Sequence, residues 1–430
     1  MKKKFNYTWV IIAICFLSVC TSLGFASGNR SMYFRAINDV FSDSFSEFAY
    51  SFTMTIRYIA TTTLNIFFGC LVNKFGTKKL LSAGFISLTL FALISSFATN
   101  LIHFYIAGVF LGIGLSWTTT TMMSVIVNTW VTKNKGTVMG AVLAANGLGG
   151  AVAAQIVSPI IFAEGEPYAY RNAYRLVAII MAVMLILILI FFREAPKNAE
   201  RTSVTLKKNR KIRGSGWVGM DFSEVKRKPY FYLALICMLL TGMSLNGMGE
   251  ISSLHMYDIG MSKEFVASLA TVSSLLLMSS KFLNGFMYDR IGIKKTMNLC
   301  YACAFISLGL LALLSNTPIG KVLASIKPIF SATALPLETV MISLFANELF
   351  GNKSFNKVVG LFAASTTAGF ALASPFSQLW KSVFGNYTVS MIAFAILMIF
   401  VTVTMQFVLK CANRDKKTIL EALEREEVTE

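Results

Sequence analysis

Apolar residues run along this chain in long blocks of about twenty, separated by short polar breaks. That length crosses a hydrocarbon core of ~30 Å as a helix. The blocks lie at roughly 7–33, 48–72, 80–99, 103–127, 136–162, 173–192, 230–256, 264–288, 296–315, 322–349, 356–381 and 386–410. Each predicts one membrane-spanning helix, because with no water in the core a segment must satisfy its own backbone. A β-barrel would instead need alternating segments of about ten residues, and none is visible. The pattern predicts an all-α membrane protein with twelve transmembrane helices. A polar stretch at 193–229, containing KKNRKIRGSG, divides them six and six. The expected organisation is a six-helix bundle over 1–192, a cytoplasmic linker over 193–229, a second bundle over 230–410 and a cytoplasmic tail over 411–430. The opening MKKKFNYTWVIIAICFLSVCTSLGFASG has the order of a signal peptide, but its apolar part runs on, so it is expected to stay as the first span.

Composition supports the same class. Hydrophobic residues make up 55% and charged residues 14%, against about 25% charged in soluble domains. The net charge of +18 becomes a topology signal once both termini are placed in the cytoplasm. Nearly all of the excess Lys and Arg then falls on the inner segments, as the positive-inside rule requires. No nucleic-acid partner is needed to explain the charge; the expected partner is the lipid bilayer. Cys300 and Cys303 have CxxC spacing, but they lie in an apolar span with no second pair and no nearby histidine, so no metal or cofactor is expected.

The two halves carry a repeat. NIFFGCLVNKFGTKK in the first and KFLNGFMYDRIGIKK in the second align Gly69 with Gly285, Lys74 with Arg290 and Gly76 with Gly292. Each copy falls between the second and third span of its half. The first glycine suits close helix packing, the second a tight turn, and the basic residues an inner-face loop. Asp289 can cap a helix start or pair with a cation.

The pattern G-x-x-x-D-(R/K)-x-G-x-(R/K)-(R/K) resembles the signature of the major facilitator superfamily. The second copy fits fully; in the first, Asn73 stands where the family usually has aspartate, which leaves a hydrogen-bonding group there but no charge. The resemblance implies two pseudo-symmetric bundles, a central cavity and alternating access, with gating by Gly69, Asn73, Lys74, Gly76, Gly285, Asp289, Arg290 and Gly292. YRNAYR and NTWVTKNKGTVMGAVLAANGLGGA further resemble segments of the oxalate/formate antiporter and monocarboxylate transporter groups. In those groups a cation on span eight, four residues before the signature glycine, binds the substrate carboxylate. Lys281 holds that position here, although arginine is usual. Leu277 stands where the proton-coupled monocarboxylate transporters carry an aspartate, so proton coupling by that pair is not implied.

Four ionisable residues are read deep within the spans, away from their ends: Arg57, Glu250, Lys281 and Glu338. Each is costly against lipid, so each is expected to face a cavity or another charge. Lys281, eight residues before Asp289, should sit about 12 Å from the inner turn. Lys281 can instead snorkel to the cytoplasm. Lys281, Arg57, Asn146, Gln155 and Asn246 are the candidate substrate-binding residues, and Glu338 and Glu250 the candidates for ion coupling or charge pairing. Thr118 and Thr121 are expected on one helical face. Gly147, Gly149 and Gly150 should allow close packing of the fifth span.

No Walker motif, nucleophile triad or metal cluster points to an enzyme. The expected function is secondary transport of a small organic anion, a mono- or dicarboxylate, across the cell membrane by antiport or ion coupling, by a monomer. The rival reading is a proton-coupled exporter of cationic or amphipathic compounds using Glu250 and Glu338. A non-transporting sensor is disfavoured by a tail of only about twenty residues.

Overall fold

A computed structural model describes residues 7–163, 166, 168–194, 217 and 219–429. Most of the linker expected at 193–229 lies outside the described residues. All regular structure among those described is helical. The chain forms two compact units: Met1–Ala199 with Leu277–Gly285, and Glu200–Leu276 with Phe286–Glu430.

In the first unit, α1 (Thr8–Val19) widens into a π-helical stretch, Cys20–Ala26. The first span therefore stops short of residue 33. Asn29 takes a left-handed conformation (φ 55°) and a separate helix follows, α2 (Arg30–Phe41). The cause is local: Gly28, Asn29 and Arg30 interrupt the apolar run just where the helix would have to continue. Next come α3 (Glu47–Phe75) and α4 (Thr77–Ser96). Ser46 caps α3 by accepting from the Ala49 N–H at 3.2 Å, as N-cap hydroxyls do. The fourth span is broken at Thr119 into α5 (Leu101–Thr118) and α6 (Thr120–Trp130). Thr118 and Thr121 thus lie on either side of a break rather than on one continuous face, and both are buried. The unit closes with α7 (Lys135–Ile161) and α8 (Tyr170–Phe191). Helix α4 packs on α5 and α8, and α5 also packs on α3.

The second unit begins with a one-turn helix, α9 (Phe222–Val225), closed by a capping box between Asp221 and Glu224. This end of the linker is docked rather than solvated: Trp217 is buried, and its Nε1–H donates to the Glu348 carbonyl at 3.2 Å. Then come α10 (Pro229–Asp258), α11 (Lys263–Ile291) and α12 (Ile293–Ala312). The tenth span is bent by 46°. Helix α13 (Pro318–Ala334) passes through a 3-10 turn, Leu335–Glu338, into α14 (Val340–Phe350). Helices α15 (Phe355–Phe384) and α16 (Thr388–Thr429) complete the chain, the last continuing through the expected tail.

Ten described helices are long and apolar enough to cross a membrane, and the bent pair makes an eleventh. Helix α11, with Lys281 among serines, completes the twelve. The apolar surface has the pattern lipid demands. On α8, Ile179, Val183, Ile186 and Ile190 are exposed, while Val177, Met181, Met184 and Ile188 are buried. Both faces are apolar: one packs, the other meets hydrocarbon. Water would not tolerate so large an exposed stripe.

Candidate functional site

The repeated motif gives the same backbone geometry twice. Gly76 has φ 81° and ψ 166°, and Gly292 has φ 80° and ψ 169°. That region is open essentially to glycine alone. Each ends one helix and starts the next with no intervening loop: the Gly76 N–H donates to the Val72 carbonyl and the Gly292 N–H to the Tyr288 carbonyl. In the first copy the turn meets a carboxylate from elsewhere. Glu194, just past α8, accepts from the Lys78 backbone N–H at 3.3 Å, while Lys78 Nζ donates to the Leu189 carbonyl at 2.9 Å. Asn73 and Lys74 are exposed, as is Arg290; Asp289 is half-buried. Gly69 is buried.

Lys281 lies in the part of α11 that groups with the first unit. There α11 runs along a glycine face of α7. A Cβ on Gly285 would lie 1.9 Å from the Gly136 carbonyl oxygen, and one on Gly140 would lie 2.4 Å from the Lys281 carbonyl oxygen. A Cβ on Gly147 would lie 2.8 Å from Met278 Cβ. Only glycine at these positions lets the backbones approach so closely. Lys281 is only 4% exposed. A lysine buried that deeply must have its charge compensated.

The remaining candidates fall into two groups. In the first unit, Arg57 is half-buried on α3, with Nη1 3.5 Å from Met54 Sδ and its guanidinium 5.1 Å from the Tyr58 ring centre. Asn146 is half-buried beside Gly147. Gln155 is exposed and shares its face of α7 with Leu148, Val152 and Ile156. In the second unit, Asn246 and Glu250 are one turn apart and joined, Asn246 Nδ2 donating to Glu250 Oε1 at 3.2 Å. Glu338 closes the 3-10 turn at the bend of the tenth span, where Pro336 removes a backbone donor. On α15, Thr366 donates to the Phe362 carbonyl and Thr367 to that of Ala363.

One charge escaped the sequence reading. Lys327, near the start of the apolar block at 322–349 and not among the four charges singled out there, is 7% exposed in the middle of α13. Its Nζ donates to Ser252 Oγ of α10 at 2.5 Å, and among the described residues it forms no ion pair. The signal was SIKPIFSA, a lysine preceding a proline inside an apolar run. No group of described residues has a composition suited to holding a metal ion.

Similarities to known proteins agree with this architecture. The sequence profile of the Major Facilitator Superfamily matches residues 14–334 and again 251–427. The sialic acid transporter NanX of Escherichia coli is 24% identical over 258 residues, 59% of each chain. This chain therefore matches only about three fifths of that relative's length. Multidrug resistance protein 2 of Bacillus subtilis is 21% identical over 70% of this chain and 72% of its own. Human monocarboxylate transporter 2 is 23% identical over 28% of this chain and 25% of its own. Among solved structures, the proton:xylose symporter XylE superposes with a TM-score of 0.76 at 14% identity, covering 94% of this chain and 97% of that one. With its apolar helical spans, the doubled glycine turn and a profile match spanning nearly the whole sequence, the chain belongs to the Major Facilitator Superfamily.

Proposed function

We propose that this secondary transporter carries a small organic anion, a mono- or dicarboxylate, across the cell membrane by alternating access, as an antiporter or ion-coupled carrier. The observation that carries the reading is Lys281: an ammonium 4% exposed, within a membrane span, on a helix segment packed against α7. An anion passing that point offsets the cost of the buried charge. Two relatives are named for acids, sialic acid and monocarboxylates, which supports the same sign. As a point charge, lysine holds a carboxylate without the fork of arginine.

The test is uptake, together with ligand-induced thermal stabilisation across a panel of carboxylates and organic cations. A ligand at a hundred times its Kd adds about 2.7 kcal/mol. Lys281→Gln is expected to abolish anion uptake while leaving the protein monodisperse, and Lys281→Arg to keep anion binding. If Lys281→Gln transports as the parent does, the lysine has no part in binding and the anion reading fails. The runner-up is export of cationic or amphipathic compounds, favoured by the Asn246–Glu250 pair and the multidrug-resistance relative. It predicts stabilisation by cations and loss of activity in Glu250→Gln. Both readings place the termini in the cytoplasm, and reporter fusions at residue 210 and at the C-terminus test that; an external signal at either overturns the topology.

A further inference from the structure

The outer turn after the first span encloses a second polar site, inside the first unit. The π-helical stretch Cys20–Ala26 ends in a corner at Asn29, whose Nδ2 donates to the Gly150 carbonyl at 3.1 Å. Widened helical turns of this kind recur at functional sites. The corner delivers Arg30 and the start of α2 to the wall of a small cavity. Its walls are aromatic. Tyr33 stacks on Tyr174 with ring centres 4.3 Å apart, and Phe104 meets Tyr50 edge-on at 5.2 Å.

Unpartnered buried hydroxyls also occur elsewhere in the chain, at Ser18, Ser82, Ser244 and Ser307 among others, but three of them share this one wall. Serine and threonine in these helices normally donate to the carbonyl one turn back, as Thr61 does to Arg57 and Thr89 to Phe85. Thr53 on α3 and Ser95 on α4 do not. Both line the cavity, are 8% and 1% exposed, and make no hydrogen bond with any described residue. The same holds for the Tyr33 hydroxyl, with its residue 5% exposed. Leaving one buried hydroxyl without a partner costs about 1–3 kcal/mol. Three such groups lining one cavity form a hydrogen-bonding surface complementary to a hydroxylated ligand. The ring faces suit the C–H faces of a compact carbon skeleton, and Arg30 in the same wall supplies a positive charge.

We propose that this cavity binds a small hydroxylated carboxylate, its hydroxyls on Tyr33, Thr53 and Ser95 and its carboxylate toward Arg30. The ligand class rests on the organic-anion reading; the site itself is separate from Lys281. The probe is glucuronate, titrated calorimetrically into the purified full-length protein. Glucose, lacking the carboxylate, and cyclohexanecarboxylate, lacking the hydroxyls, serve as comparisons. Glucuronate is expected to bind more tightly than either. Tyr33→Phe and Ser95→Ala should each raise its Kd about three- to tenfold. Neither should lower the melting temperature, since each removes a buried hydroxyl without a protein partner. Binding should persist in Lys281→Gln. The proposal is overturned if the double variant Tyr33→Phe, Ser95→Ala binds glucuronate as the parent does. It is equally overturned if the parent shows no binding, in which case the hydroxyls serve water only. Loss of binding in Lys281→Gln with retention in the double variant would place the ligand at Lys281 and refute the cavity, while leaving the anion reading intact.

Discussion

Neighbouring glycines on α7 should respond to the same substitution with opposite signs. A Cβ on Gly149 would lie 2.1 Å from the Cys20 carbonyl oxygen and 2.8 Å from the Cys20 carbonyl carbon, and one on Gly24 would lie 2.4 Å from the Gly149 carbonyl carbon. The colliding atoms are all backbone, so no rotamer relieves them. Restoring ordinary contact requires the helices to part by about 1.3 Å, which forfeits a large share of the dispersion energy across the seam. Overpacking of this kind costs about 1–3 kcal/mol. The gain from replacing glycine by alanine within a helix, about 1 kcal/mol, offsets only part of it. At Gly150 nothing lies within 4 Å of the added carbon, so Gly150→Ala keeps that gain. The propensity gain is common to both, so the expected difference between the two variants is the overpacking cost, about 1–3 kcal/mol. For a unit of about 200 residues that corresponds to roughly 2–12 °C in melting temperature. Unfolding of such a protein is commonly irreversible, so both variants are scanned at one rate in one detergent. Melting temperatures that coincide within a degree, or a Gly150→Ala variant less stable than Gly149→Ala, would refute the close seam between the first and fifth spans.

Lys327→Met should raise stability by about 1 kcal/mol, because it removes a buried ammonium held by one hydroxyl. Ser252→Ala should lower it by about 1–2 kcal/mol by taking that acceptor away; equal signs in chemical denaturation would contradict the pairing. Gly292→Ala should cost about 2 kcal/mol from backbone strain alone, since nothing lies within 4 Å of the added carbon. An unchanged melting temperature there would mean that the turn relaxes. Glu194→Gln should weaken the first-half turn by about 1 kcal/mol, and a thermal scan that leaves this variant level with the parent would speak against the bond to Lys78.

Sequence alone determined the membrane-spanning helices and the repeated turn, but not the early end of the first span, the separate helix α2 or the run of α16 through the tail. An apolar run long enough to cross the bilayer has one way to satisfy its backbone, and a glycine before two lysines marks the turn in both halves. The close approach of the fifth span was also legible at Gly147 and Gly149, though not the open space at Gly150. Side-chain surroundings were not legible. In lipid the buried and exposed faces of a helix are both apolar, so α8 carries no polar stripe to tell Ile179 from Val177. Lys327 donates to Ser252, seventy-five residues earlier, a partner its own helix gives no sign of. The breaks at Thr119 and Thr339 fall within apolar runs that look continuous. The cavity beside Tyr33 draws Thr53 from α3, Ser95 from α4 and Tyr174 from α8. Each of these is ordinary in its own helix; only packing put their polar atoms in one wall, because hydropathy records how much each side chain avoids water and not which neighbours it meets.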